Sequence, residues 1–256
     1  MSFTLSYPFR NTAQTARGRW YDIDARDAAE ATITIYDEIG LYGISSKVFQ
    51  QELASVTANR ITVHLNSPGG EVFDGVAIYR ALKDHPAHVT VRIDGVAASI
   101  ASVIAMAGDK VVMTKRAMMM IHEPYAMAAG TADDMRKAAV ALDKMGDTIG
   151  GIYSDRAGGT VTEWRAVMAK ETWYSDEEAV AAGLADEVVA DKAARNSFDL
   201  SRFRNAPSPE DEADVEATSD INEETQEPAQ PDAGAGARLA AAAAALEVSN
   251  AHSDAA

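Results

Sequence analysis

Ser99 and His122 are the side chains best suited by type to do chemistry together. Ser99 lies in GVAASIAS, residues 95–102, among small residues, and His122 lies in MMMIHEPYA, residues 118–126, after an apolar run. A serine hydroxyl is a weak nucleophile at neutral pH and needs an adjacent base, which a histidine can supply. Ser99 follows a strand-like run, residues 89–93, and a strand end expected at Asp94-Gly95; it then opens a helical stretch of small residues, 98–107. A serine at a helix start is most often a cap. The same position offers free N–H groups and the positive end of the helix dipole, which would stabilise charge developing on an attacked carbonyl. Ser99 by itself leaves both readings open. The Gly-x-Ser-x-Gly elbow of α/β-hydrolases is absent. A lone histidine at a strand end is usually structural, but paired with Ser99 it is a candidate general base.

A third segment is NSPGGEVFDG, residues 66–75. Gly69 and Gly70 let the backbone turn sharply and approach another chain closely. N–H groups exposed there would bind an oxyanion or pair with an extended peptide, although an ordinary strand-to-helix turn has the same composition. No Gly-Lys-Ser/Thr follows, so this is not a phosphate-binding loop.

These residues need elements to position them. Residues 32–36, 61–65, 89–93, 110–113 and 118–121 read as strands. Residues 73–83 read as a helix with Val76, Tyr79 and Leu82 on its buried side. Residues 131–155 read as a long helix softened at Gly146, Gly150 and Gly151. Ser175 with Glu178 has the spacing of a capping box, and Gly183 is a stop. Strands alternating with helices predict an α/β fold with mostly right-handed crossovers.

Composition narrows the chemistry. The absence of cysteine excludes disulfides, thiolate metal sites and cysteine nucleophiles. No signal-peptide core or membrane-length apolar run is present, so a soluble, cytoplasmic protein without membrane contact is expected. The net charge is −16, and residues 197–256 hold thirteen acidic residues against three basic ones. Neither part carries the basic stripe that nucleic-acid binding requires. Three regions are expected: an N-terminal segment 1–30, a catalytic body 31–195, and an acidic, alanine-rich tail 196–256. The tail cannot bury enough apolar surface to offset its ordering entropy and is expected to be mostly disordered.

In order and spacing, NSPGG, G-x-A-A-S, M-I-H-x-P and ETWYSDEEAVAAGLADEVV resemble the proteolytic subunit family of Clp protease (ClpP). The resemblance covers roughly residues 30–190. It implies the ClpP/crotonase-like spiral of β-β-α units and a serine endopeptidase acting on polypeptides. It implies Ser99 as nucleophile, His122 as base, and the N–H groups of Gly70 and Ile100 as the oxyanion hole. The position of the family's aspartate is occupied by Glu171, in KETWYS, which is expected to complete the triad; Asp176 is the nearest alternative. The resemblance further implies a homo-oligomeric ring docked through the 131–155 helix, with no metal or organic cofactor.

Two features depart from housekeeping ClpP. The first thirty residues do not resemble its N-terminal hairpin, and the acidic tail is foreign to it. Both resemble the related head-maturation proteases of tailed phages and prophages. That resemblance implies scaffold and capsid proteins as partners, inside the host cytoplasm or a procapsid, and leaves partnership with a Clp-type ATPase open. Three other readings carry distinct expectations. A crotonase-like acyl-CoA enzyme would use the oxyanion hole without a Ser99–His122 pair. A Ser-Lys peptidase would use Lys110 or Lys115. A non-catalytic assembly protein would carry a decayed acid at Glu171 and use the tail as scaffold.

Overall fold

A computed structural model describes residues 20–25, 27, 29–40, 45–192, 198 and 200–207. Most of the tail expected to be disordered, residues 208–256, lies outside the described residues, as do residues 1–19.

Alternation of apolar and polar residues builds the centre of the sheet. Strands β2 (Glu30–Ile35), β3 (Arg60–Ser67) and β4 (His88–Ala98) are parallel neighbours. Ile33 and Ile35, Ile61, Val63 and Leu65, and Val89, Val91 and Ile93 point into one core, as a period of two requires. β1 (Tyr21–Asp24) pairs antiparallel with β2 at one edge. Trp20 and Tyr21 are buried there against Phe49 of α1 (Ser46–Leu53), so part of the 1–30 segment belongs to the core.

β4 organises the rest. It is one strand of eleven residues and runs straight through Asp94-Gly95, the expected strand end. Along residues 90–93 it pairs with β5 (Lys110–Lys115), which pairs in turn with β8 (Glu187–Lys192). Along residues 96–98 it pairs instead with β6 (Met118–Ile121), which pairs antiparallel with β7 (Thr172–Ser175). Asp94-Gly95 is therefore where β4 changes neighbours. Asp94 is buried and accepts hydrogen bonds from Tyr36 Oη (2.7 Å) and Arg92 Nε (2.6 Å), with His64 Nδ1 at 2.7 Å. Burial pushes its pKa up, but these three partners outweigh burial and hold it below the ordinary carboxylate value.

Helices cover the sheet. On α2 (Val72–Lys83) the buried stripe is Gly75, Ile78 and Leu82, while Val76 and Tyr79 lie only half-buried at its margin. α3 (Ile100–Ala105) is wholly buried. α4 (Ala132–Ala157) starts at a Thr131/Asp134 capping box and runs unbroken through all three glycines. Gly146 is a packing site rather than a weak point: a Cβ there would sit 2.5 Å from Cζ of Arg165. Arg165 belongs to α5 (Val161–Ala169), an additional helix with its own Thr160/Glu163 capping box. α6 (Asp176–Ala181) carries the expected Ser175/Glu178 box, and Gly183 (φ 79°) follows its end.

Residues 200–207 fall by composition in the acidic tail, but they lie against the body. Phe203 is buried among Val96, Ala98, Met120 and Trp173, on the face of β4, β6 and β7 opposite the main core, with Phe198 and Leu200 packed alongside. The folded part thus extends past the expected boundary at 195.

Candidate active site

Strand register brings the predicted residues together. Ala98 pairs with Met120, and Met120 pairs with Trp173. Ser99 leaves the end of β4, His122 leaves the end of β6, and Glu171 enters β7, so all three emerge at the same edge of one three-stranded unit. The Ser99 N–H donates to the Met120 carbonyl at 2.9 Å and extends the β4–β6 ladder by one bond.

Ser99 stands at the position before α3, yet its side chain makes no capping bond. Its Oγ lies 2.7 Å from His122 Nε2. Its backbone has φ 56° and ψ −130°, a conformation that costs a non-glycine residue on the order of 1–3 kcal/mol. Two buried hydroxyls hold this turn. Ser102 Oγ donates to the Ser99 carbonyl at 2.5 Å, and Tyr153 Oη lies 2.7 Å from Ser102 Oγ. Since the Ser102 proton is committed to a carbonyl, Tyr153 is the donor in the second bond. Tyr153 packs against Trp164, whose Nε1 donates to the Gly158 carbonyl at 2.7 Å, so the Ser99 turn is anchored to α4 and α5.

The diglycine turn lies directly beside Ser99. Gly69 (φ 97°) approaches so closely that a Cβ would stand 2.6 Å from Ser99 Cβ and 2.8 Å from the Ala98 carbonyl oxygen. On the other side, the Ile39 N–H donates to the Gly69 carbonyl (2.8 Å) and the Glu71 N–H donates to the Ile39 carbonyl (3.1 Å). In a parallel bridge of this kind, the N–H of the intervening Gly70 faces away from Ile39. Ile100 opens α3, so its N–H has no intrahelical acceptor. Both predicted oxyanion donors are thus backbone groups not used by their own secondary structure.

Burial pushes the His122 pKa down to about 4; the Glu171 carboxylate pulls it up and Arg202 pushes it further down. The imidazole is therefore neutral at pH 7. When Nε2 accepts from Ser99 Oγ, the proton of the neutral ring resides on Nδ1. Glu171 (φ 52°) lines the same cavity of about 400 Å³ as His122, together with Tyr125, Met168 and Phe203. Among the described residues, no hydrogen bond joins Glu171 to the imidazole. Its Oε1 accepts the Asn205 N–H at 2.6 Å. The loop after His122 is fixed from α5: Arg165 Nε donates to Glu123 Oε1 at 2.6 Å, and the Glu123 N–H donates to the Met168 carbonyl at 3.2 Å.

The alternative partners lie elsewhere. The Asp176 carboxylate accepts the N–H groups of Arg116 and Glu177. Lys110 is in register with Thr90, nine residues before Ser99 along β4, and pairs with Glu187 at 2.7 Å. At about 3.3 Å per residue that is roughly 30 Å from Ser99. Lys115 is exposed at the end of β5. Among the described residues, no three His, Asp or Glu side chains converge as metal ligands would, and no helix is long and apolar enough to cross a membrane.

Comparison with known proteins decides the family. The family model described as Clp protease matches residues 14–192. The chain belongs to the Clp protease family. The ATP-dependent Clp protease proteolytic subunit of Streptococcus gordonii is 33% identical over 185 residues, covering 69% of this chain and 94% of that protein. The subunit of the same name from Chlorella vulgaris is 29% identical over 192 residues, covering 72% and 93%. The Clp protease match begins before β1 and ends with β8, so residues 200–207 lie beyond it.

Sequence reasoning missed Arg202, Phe203 and Asn205 as neighbours of the site. They sit in a segment with no helical or strand period, and only its cluster of Phe198, Leu200 and Phe203 signals burial.

Proposed function

We propose that this chain is a serine endopeptidase in which Ser99 attacks a peptide carbonyl and His122 takes the Ser99 proton. The observation that carries the reading is the 2.7 Å contact between Ser99 Oγ and His122 Nε2, at a strained turn packed against Gly69. The N–H groups of Gly70 and Ile100 receive the oxyanion of the tetrahedral intermediate. His122 then passes its proton to the leaving amine, and a water attacks the acyl-enzyme by the same route in reverse. Glu171 is the acid that holds the Nδ1–H tautomer and stabilises the imidazolium formed in the transition state.

The reading extends to the whole protein. Two relatives are named proteolytic subunits of an ATP-dependent Clp protease, which supports a polypeptide substrate. The element order supports a ClpP-like spiral of β-β-α units, and the sparsely buried first half of α4 supports ring assembly by homo-oligomerisation. The acidic residues beyond 207 support the phage head-maturation type, cutting scaffold or capsid proteins in the host cytoplasm or procapsid. The catalytic body spans residues 31–195, with 200–207 packed on it.

The test is labelling by a fluorophosphonate, followed by mass mapping and a peptidase assay. Wild type is expected to label at Ser99, and Ser99→Ala to lose labelling and peptidase activity while assembling normally. Peptidase activity retained in Ser99→Ala would end the proposal. One observation favours a second reading, a non-catalytic assembly protein: the Glu171 oxygen is bonded to Asn205 rather than to His122. An assembled wild type that the probe fails to label is the result that reading requires.

A further inference from the structure

Residues 200–207 lie outside the stretch that matches the family, yet Phe203 packs against the His122 ring and Asn205 bonds the Glu171 turn. Arg202 anchors the segment. It pairs with Glu38 at 3.4 Å, with both side chains at least nine-tenths buried, and its guanidinium lies 5.2 Å from the Phe203 ring centroid. A buried pair of this kind is costly to break from one side, so it fixes the segment's position. Phe203 follows and wedges between two rings. Its centroid is 5.8 Å from His122 at 84° and 5.8 Å from Trp173 at 74°, both edge-on arrangements.

Asn205 reaches the acid. Its backbone N–H donates to Glu171 Oε1 at 2.6 Å, and its Nδ2 donates to the carbonyls of Lys170 (2.7 Å) and Glu171 (3.1 Å). Three bonds thus converge on one turn. That turn needs them for two reasons. Glu171 has a left-handed backbone (φ 52°), a conformation that unbranched non-glycine residues occupy only when held. Its side chain is also one methylene longer than an aspartate, with one more rotatable bond to restrain.

We infer that Asn205 is a positioning residue for the acid of the proposed triad, clamping the Glu171 turn and one carboxylate oxygen so that the other is left for the imidazole. Phe203 does the same for the base, packing edge-on against the His122 ring. A segment added after the family's last strand thereby completes a site whose acid is longer than the family pattern. This inference rests on the catalytic reading of Ser99, His122 and Glu171.

The test uses the full chain and the second-order rate of fluorophosphonate labelling at Ser99, alongside kcat and KM on a fluorogenic peptide. Asn205→Ala removes the Nδ2 donors and keeps the backbone N–H. Asn205→Asp places an acceptor against two carbonyl oxygens. Both are expected to slow labelling and lower kcat by roughly ten- to hundredfold, the scale of an ångström's misplacement, with KM little changed. The effect must act through the acid, so Asn205→Ala made in a Glu171→Ala background is expected to add nothing further. A merely structural residue would give the same loss in both backgrounds. Labelling of Asn205→Ala at the wild-type rate, or an equal loss without Glu171, overturns the inference and leaves the proposed function standing. Faster labelling also overturns it, since the segment would then be an inhibitor of the site. A wild type that does not label overturns the function and this inference together.

Discussion

Gly69→Ala tests how closely the diglycine turn is fitted to Ser99, the proposed nucleophile. The added Cβ would stand 2.6 Å from Ser99 Cβ and 2.8 Å from the Ala98 carbonyl oxygen. Carbon atoms rest at about 3.5–4.0 Å, so the turn and Ser99 must separate by about 1 Å. The backbone has no cheap response, because φ at Gly69 is 97° and Ile39 pins the far side of the turn. The left-handed conformation adds about 1–2 kcal/mol for a side chain, and overpacking adds about 1–3 kcal/mol. A displacement of about 1 Å at a reacting centre costs on the order of 100-fold in rate. Fluorophosphonate labelling of Gly69→Ala is therefore expected to fall by about two orders of magnitude, with thermal unfolding lowered as well. Gly151→Ala is the control. It sits in α4 with nothing within 4 Å of the added Cβ, and replacing a helical glycine stabilises by up to about 1 kcal/mol. If Gly69→Ala labels as fast as Gly151→Ala, Gly69 does not set the position of Ser99 and the oxyanion geometry described above is wrong.

Three further outcomes follow from His122 and from the two hydroxyls behind Ser99. A histidine acts as a base only when neutral, and burial lowers the His122 pKa from 6.5 to about 4, so on the proposed role of His122 kcat/KM is expected to hold through pH 6 and fall only near pH 4. The sign for stability is the reverse of a histidine that gains a partner: as pH falls from 6.5 toward 4 the unfolded chain takes up a proton that the folded chain refuses, so His122 destabilises the fold progressively across that window, which denaturant unfolding at pH 7 and pH 5 would measure. Ser102→Ala removes the bond to the Ser99 carbonyl and strands the buried Tyr153 hydroxyl, whereas Tyr153→Phe removes one donor and leaves Ser102 bonded. Urea unfolding is expected to cost about 1–3 kcal/mol for the first and about 1 kcal/mol for the second, and the reverse order would show that Tyr153 is not the donor.

Much of the candidate site was legible because its proposed chemistry is local in type. Ser99, His122 and the Gly69-Gly70 turn each carry a signal in a few residues, and the structure places them side by side. The fold was legible where periodicity is clean, as in β3 and the lower half of β4. It failed where a residue's usual meaning was overridden by tertiary contacts. Gly95 reads as a strand end, yet β4 passes through it because a new neighbour takes over the ladder. Gly146 reads as a weak point in a helix, yet it makes room for Arg165. α5 went unread although Thr160 and Glu163 have the same capping spacing as Ser175 and Glu178. Residues 200–207 were beyond pattern reading altogether, because their placement depends on Glu38, His122 and Glu171, each distant in sequence.

The change of neighbours along β4 links folding to the onset of activity. A strand's side chains alternate, so a slip of one residue against β3 would turn Ser99 away from His122 at the same time as it expelled Val91 and Ile93 from the core. On the reading proposed for Ser99, a chain that has not yet closed its sheet holds no armed hydroxyl. A nascent or misregistered copy is thus chemically silent, and the hydrophobic core acts as a safety catch on proteolysis.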